Sequence, residues 1–278
     1  MTAPEAPVGR LLVCPTPIGN MEDITLRVLE ELGRADVIAC EDTRHTRPLL
    51  DRHGIDASRL VSLHEHNEAS RAPALAGRVR AGERVALVTD AGTPLVSDPG
   101  YELIQACLRE ALPVEVLPGP SAALTALVAS GLPAARWCFV GFLPRKRGEL
   151  AALLGDARET LVAFESPRRL GATLGVLAEI DPERPVAVCR ELTKLHEEVL
   201  RGEAAELAGR YAREAPRGEI TLVIGAAPSR QAALGPALEA VRELIDAGAR
   251  PRAAASAVAK LTGLGANELY RELTRGDG

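Results

Sequence analysis

The feature that most constrains this chain is a series of short apolar runs, each followed at once by a loop rich in glycine, proline and ionisable residues. Leu11–Cys14, Val37–Cys40, Leu60–Leu63, Val85–Val88 and Val114–Leu117 read as strands. Short strands of this kind, largely free of polar alternation, predict a parallel sheet covered on both faces. The intervening segments have helical spacing. Ile24, Val28, Leu29 and Leu32 mark one apolar face that Gly33 closes, and Leu75 and Val79 mark another before Gly82. After the fourth run, Asp98 is the expected N-cap and Pro99 the expected first-turn residue. The stripe of that helix is Leu103, Ile104, Cys107 and Leu108.

The pattern then restarts. Cys138–Val140, Leu161–Phe164, Val186–Cys189 and Ile220–Ile224 are strand candidates, with helices at Ser121–Ser130, Pro167–Ile180 and Glu203–Ala212. Glu197–Leu200 is expected as an extra antiparallel strand beside Gly218–Ile224. Pro228, Gly235 and Pro236 read as a hinge, followed by helices at Ala237–Ala247, Arg252–Leu261 and Asn267–Leu273. The 278 residues thus divide into an α/β domain over 9–118, a second α/β domain with a mixed sheet over 119–228, and a small helical domain over 236–278.

Composition limits the function classes. A formal charge of -5 excludes a domain that coats nucleic acid along its length, though a local basic groove is compatible with it. Of the 33 basic residues only Lys146, Lys194 and Lys260 are lysines, so arginine carries most anion recognition. The five cysteines contain no C-x-x-C pair and read as reduced, buried thiols. The leader Met1–Val8 has neither a basic nor an apolar region, and the longest uncharged run, Val116–Ala135, is interrupted by Pro118, Gly119, Pro120, Gly131 and Pro133. A soluble, cytoplasmic protein without a membrane span is expected.

Unusual residues cluster after the strand ends, where open parallel sheets take their ligands. Pro15-Thr16-Pro17-Ile18-Gly19-Asn20 is a stiff exit with one glycine for close approach, and Asn20 or Asp23 can cap the next helix. In Glu41-Asp42-Thr43-Arg44-His45-Thr46-Arg47 the two acids can orient or deprotonate a hydroxyl, and Arg44 and Arg47 can meet phosphate. These two acids and one histidine lack a convincing fourth ligand, so no metal is expected. The loop Thr89–Gly100 carries Asp90-Ala91-Gly92-Thr93, which can hold a small polar cofactor through main-chain groups. Pro118-Gly119-Pro120-Ser121-Ala122 makes a rigid turn into a Ser-capped helix. Arg145-Lys146-Arg147, Arg168-Arg169 and Arg190 with Lys194 follow three successive strands, and together they predict a local positive rim for anion or RNA contact. No dinucleotide fingerprint, no G-x-x-x-x-G-K loop and no G-x-S-x-G elbow is present, which disfavours dinucleotide binding, nucleotide hydrolysis and a serine triad.

Taken in order, Thr16–Asn20, Glu41–Arg44, Asp90–Pro94 with Ser97–Gly100, Pro118–Ala122, Gly141-Phe142-Leu143-Pro144, Glu165-Ser166-Pro167 and Arg190–Lys194 resemble the ribosomal RNA small-subunit methyltransferase I family of the tetrapyrrole-methylase superfamily. The resemblance implies two α/β domains with S-adenosylmethionine in the cleft between them, and a homodimer. It also implies 2'-O-methylation of a decoding-centre cytidine in 16S ribosomal RNA, within the 30S subunit. Carried over, Pro17, Gly19, Asp90, Ala91, Gly92, Thr93, Ser121 and Ala122 would line the cofactor. Glu41, Asp42 and Glu165 would face the reacting nucleotide as catalytic candidates, and Arg44, Arg145, Lys146, Arg168 and Lys194 would position phosphates. The family usually has His after its Glu-Ser-Pro, where this chain has Arg168. It also tends to have Lys near Asn267, which bears on the tail's contact with RNA. Two rivals remain at this point: a sister enzyme methylating a small tetrapyrrole, and a non-catalytic RNA-binding assembly factor. The three-cation segment and the helical tail favour RNA.

Overall fold

A computed structural model describes residues 9–275 except Glu214, Pro228 and Ser229. The leader Met1–Val8 and the expected hinge residue Pro228 therefore lie outside the described residues. Strands β1 (Arg10–Val13), β2 (Val37–Cys40), β3 (Leu60–Ser62), β4 (Arg84–Leu87) and β5 (Val114–Val116) form one sheet in the order β3-β2-β4-β1-β5. Every pairing in it is parallel.

Both faces of this sheet are covered, and single strands feed both. Leu12 and Cys14 pack with Val28 and Leu32 of α1 (Leu26–Arg34) and with Leu49 and Leu50 of α2 (Thr43–Arg52). Leu11 points the other way, with Leu75 and Val79 of α3 (Glu68–Arg80) and Leu103 and Cys107 of α4 (Tyr101–Arg109). That two-sided burial is why the strands show little polar alternation. Each buried Leu or Val contributes about 1.5–3 kcal/mol.

Strands β6 (Trp137–Phe142), β7 (Thr160–Glu165), β8 (Pro185–Arg190), β9 (Glu198–Glu203) and β10 (Ile220–Ile224) form the second sheet, in the order β6-β7-β10-β8-β9. β6 and β7 are parallel, and β10 is antiparallel to both β7 and β8. β6, β7 and β8 thus end at one edge, and β10 starts there. Helix α5 (Ala122–Ser130) lies on one face of this sheet. Its Ser121 hydroxyl accepts from the Leu124 amide, and Gly131 ends it in the left-handed region at φ 72°. α6 (Arg147–Asp156), α7 (Leu170–Ile180) and α8 (Ala204–Tyr211) cover the other face. The tail helices α9 (Arg230–Asp246), α10 (Pro251–Thr262) and α11 (Ala266–Arg275) share a small core of their own, centred on Val241, Val258 and Leu269.

The structure corrects five expectations. The strand expected at Glu197–Leu200 to flank β10 is β9, which spans Glu198–Glu203 and pairs with β8 at the sheet edge. Gly235 and Pro236 sit inside α9 and make no hinge. Cys14, Cys40, Cys107 and Cys189 are buried, whereas Cys138 is exposed on edge strand β6. Asp98 does not cap α4. The cap residue is Gly100, at φ 128°, and the orphan amides of Gly100 and Glu102 donate instead to the buried Glu68 carboxylate at 2.9 and 2.7 Å. Capping before α1 is also divided: Asn20 accepts from Glu22 to cap a single turn at Met21–Asp23, and Thr25 caps α1 itself.

Candidate active site

The strand-end loops of both sheets meet, and the contact between them is tight. The loop after β1 sends Ile18 into the apolar cluster under α5, with Val162, Ala187, Leu192 and Val223 of the second sheet. At the next position a side chain has no room, because a Cβ on Gly19 would lie 2.4 Å from Lys194 Cγ and 2.7 Å from Thr193 Oγ1. The Asn20 amide donates to Thr193 Oγ1 at 3.0 Å. The β1 loop is also bridged to the β4 loop by reciprocal main-chain bonds between Thr16 and Gly92, at 2.9 and 3.0 Å.

Two cavities flank this contact. The first, of about 360 Å³, is bounded by Ala91, Gly92, Thr93, Asp98, Ser121 and Ala122 from the first half of the chain. Phe142, Phe164, Glu165, Cys189, Leu192 and Thr221 close it from the second. The Thr93 hydroxyl donates to the Pro120 carbonyl at 3.1 Å, which joins the loops after β4 and β5. The second cavity, of about 220 Å³, lies between Pro17, Gly19, Met21, the α2 residues His45, Thr46 and Leu49, and the pair Lys194 and Glu219. Ile18, Ala91 and Glu219 line both, so the cavities adjoin.

Acidic groups stand at the cavities and, in Glu41 and Asp42, beside them at the start of α2, in different states. Asp42 caps α2, accepting from the Arg44 amide at 2.8 Å and from the Arg44 guanidinium at 2.5 Å. Those guanidinium hydrogen bonds, with the backbone one, hold its carboxyl well below the usual carboxylate range. Glu41 is half-buried, and among the described residues its carboxylate has no hydrogen-bond partner. Burial, and then the nearby Asp90, push its carboxyl up. Asp98 is pushed up to about 7 by burial and by the charges of Glu41 and Asp90. Asp90 accepts from the Asp42 amide at 3.1 Å and from His45 Nδ1 at 2.7 Å. That hydrogen bond raises the pKa of His45.

Glu165 is different again. Its side chain is fully buried, and it accepts from the Ser166 amide at 2.7 Å and the Thr173 hydroxyl at 2.6 Å, with Arg169 at 3.3 Å. Arg169 also donates to the Leu143 and Pro144 carbonyls, fixing the loop after β6.

The candidate residues therefore separate. Gly92, Thr93, Ser121, Ala122 and Glu165 line the first cavity; Pro17, Gly19, Asp90 and Lys194 line the second; Ala91 lines both. Glu41, Asp42 and Arg44 stand at the start of α2. Lys146 is paired with Glu149 at 2.9 Å, and Lys194 with Glu191 and Glu219 at 2.9 and 3.0 Å. Arg145 and Arg168 are exposed and have no hydrogen-bond or ion-pair partner among the described residues. Sequence reasoning missed Glu219, which reaches the junction only because antiparallel β10 starts at this edge. It also took Asp98 for a cap, although its position between other acids sets its chemistry.

A family model described as Tetrapyrrole (Corrin/Porphyrin) Methylases matches residues 10–208. A protein of Micromonospora olivasterospora named ribosomal RNA small subunit methyltransferase I is 46% identical over 277 residues, covering 98% of this chain and 88% of that one. The chain belongs to the ribosomal RNA small-subunit methyltransferase I family, within the tetrapyrrole methylases. A family member of the same name from Thermotoga maritima is 43% identical over 219 residues. That match spans 98% of the relative but only 78% of this chain. The uroporphyrin-III-C-methyltransferase of Thermus thermophilus is 26% identical with a TM-score of 0.55, covering 78% of this chain and 94% of that one. The family assignment thus agrees with the motifs, the two sheets and the cleft between them.

Proposed function

We propose that this protein transfers a methyl group from S-adenosylmethionine to a ribose 2'-hydroxyl of small-subunit ribosomal RNA, a cytidine of the 16S decoding centre within the 30S subunit. The observation that carries this reading is the first cavity and its neighbour, sharing Ile18, Ala91 and Glu219, in a chain of this family. The residues of the first cavity suit the cofactor. The main chain of Ala91–Thr93 and the Ser121 hydroxyl offer polar groups, while Phe164, Cys189 and Leu192 supply a wall that excludes water. Asp98, a carboxyl with a neutral-range pKa, complements a cationic ligand and is ionised by its arrival.

The cofactor supplies a methyl group on a sulfonium that already carries its leaving group. What remains for the protein is alignment and removal of one proton. We assign the proton to Glu41, whose carboxylate has no hydrogen-bond partner among the described residues and whose proton affinity is raised by burial and by Asp90. Asp42 is held as an anion by Arg44, and Glu165 has its oxygens occupied, so both are assigned structural roles. Held by the first cavity, the sulfonium would supply its methyl group to the 2'-oxygen and leave as the neutral thioether, while the hydroxyl proton would pass to Glu41. A homodimer has apolar surface available in Leu124 and Val128, which are 52% and 79% exposed on one face of α5. A cytoplasmic location follows from the substrate. Among the described residues no helix is long and apolar enough to cross a membrane.

The deciding experiment gives the protein labelled cofactor and either 30S subunits lacking the modification or a corrinoid precursor. Label in a single 2'-O-methylated nucleotide of 16S RNA is the expected result. Label only in the corrinoid, or in neither, would refute the assignment.

A further inference from the structure

With the cofactor assigned to the first cavity, the second, although it takes in Pro17, Gly19 and Asp90 that the sequence had placed at the cofactor, has walls that suit a different ligand. One side is apolar and comes from Pro17, Met21 and Leu49. The other is a polar rim of two pairs, His45 hydrogen-bonded to Asp90 at 2.7 Å and Lys194 ion-paired with Glu219 at 3.0 Å. Each pair offers one donor group beside one acceptor group. The rim has no uncompensated positive charge, because Lys194 is shared between Glu219 and Glu191. A phosphate would meet at least as much negative as positive charge there. A flat group with apolar faces and a hydrogen-bonding edge meets complementary surfaces on both sides. At about 220 Å³ the cavity is smaller than those that hold drug-sized ligands. It matches a single-ring base better than a fused-ring one.

Resting on the methyltransferase reading above, we propose that the second cavity receives the base of the target nucleotide, a pyrimidine turned out of its stack, and so sets the ribose at the junction with the first cavity. The face of the ring lies on the Pro17–Met21 side, and its pairing edge meets His45–Asp90 and Lys194–Glu219. A nucleotide turned out of its stack in this way is read through its Watson–Crick edge and its flat faces. His45 is here a positioning residue, since it meets the base and takes no part in the bond change. The arrangement also reassigns Lys194, from a phosphate contact to a member of the base-reading rim.

The test uses the full-length protein, 30S subunits and S-adenosylhomocysteine as the cofactor-site probe. Met21→Trp fills the second cavity from its edge. It is expected to lower kcat/KM for RNA by about 100-fold or more while leaving the Kd for S-adenosylhomocysteine within about twofold of wild type. His45→Ala, at an exposed position where misfolding is not expected, should cost about 10-fold and raise KM more than it lowers kcat. An RNA that is abasic at the target keeps its 2'-hydroxyl and phosphates. It should be a poor substrate for wild type, and Met21→Trp should add little further loss. Wild-type rates from Met21→Trp, or additive losses with the abasic RNA, would overturn the proposal. So would a matching loss of S-adenosylhomocysteine binding in either variant, since the cavity would then belong to the cofactor. Failure of the wild-type protein to methylate any small-subunit RNA would instead strike the parent reading.

Discussion

The two halves of the cleft carry similar charged residues and use them in opposite ways. On the rim of the first sheet, Glu41 has no hydrogen-bond partner among the described residues, and burial, then its acidic neighbours, push the Asp98 carboxyl up to about 7. On the rim of the second sheet, charges cancel in place: Glu165 with Arg169, Arg190 with Glu198, Lys194 with Glu191 and Glu219. The first rim leaves Glu41 and Asp98 available for chemistry beside its Asp42–Arg44 and Asp90–His45 pairs, and the second, apart from the exposed Arg145 and Arg168, uses its charges to hold main chain in position. A charge is informative about function only once its partner is known.

The largest effect that would break this contrast is at Glu41. Glu41→Gln should lower kcat by about 10²–10³-fold with cofactor affinity kept, read by single-turnover methyl transfer to 30S subunits. A near-normal rate would move the proton acceptor elsewhere. Glu165→Ala should act on the fold. It strips the Thr173 hydroxyl, the Ser166 amide and Arg169 of a buried acceptor, and should cost about 3 kcal/mol in denaturant unfolding. A stable but inactive Glu165→Ala would put this carboxylate on the chemical side of the comparison.

Asp98 sharpens the contrast through pH. Its folded pKa, about 7, lies above the unfolded value. The folded state therefore binds the extra proton, and this group lowers stability progressively as pH rises from about 4 to about 7. Asp98→Asn should raise Tm by a few degrees, roughly 2–4 °C, at pH 8, with a smaller gain at pH 5. The same carboxylate favours a cationic ligand, so wild-type affinity for S-adenosylmethionine should fall as pH drops from 8 to 6. Asp98→Asn should abolish that dependence. The smallest effect belongs to the unpaired cations. Arg168→Ala should weaken RNA binding severalfold and make its salt dependence shallower by about one charge, with cofactor affinity unchanged. An unchanged slope would remove Arg168 from the RNA contact.

Much of the fold was legible because it depends on local pattern. Strand centres, the helix stripes and the Ser121 cap follow from spacing and turn chemistry. What escaped depends on contacts remote in sequence. Asp98 and Pro99 form a good local cap signal, yet Glu68, thirty-odd residues away, supplies the acceptor for that helix. The strand at Glu198 was recognisable, but its choice of β8 over β10 is settled by sheet order. The expected positive rim did not allow for Glu149, Glu191, Glu198 and Glu219, which pair with its cations.

The missing side chain at Gly19 has a mechanical consequence. Ile18 is already embedded beneath α5, and Thr193 and Lys194 close on the bare backbone beside it, so the gap between the halves is set at assembly. Adding even one methyl group there would act as a wedge. It would push Thr193 and Lys194 away from the loop after β1 without touching any group assigned to the chemistry.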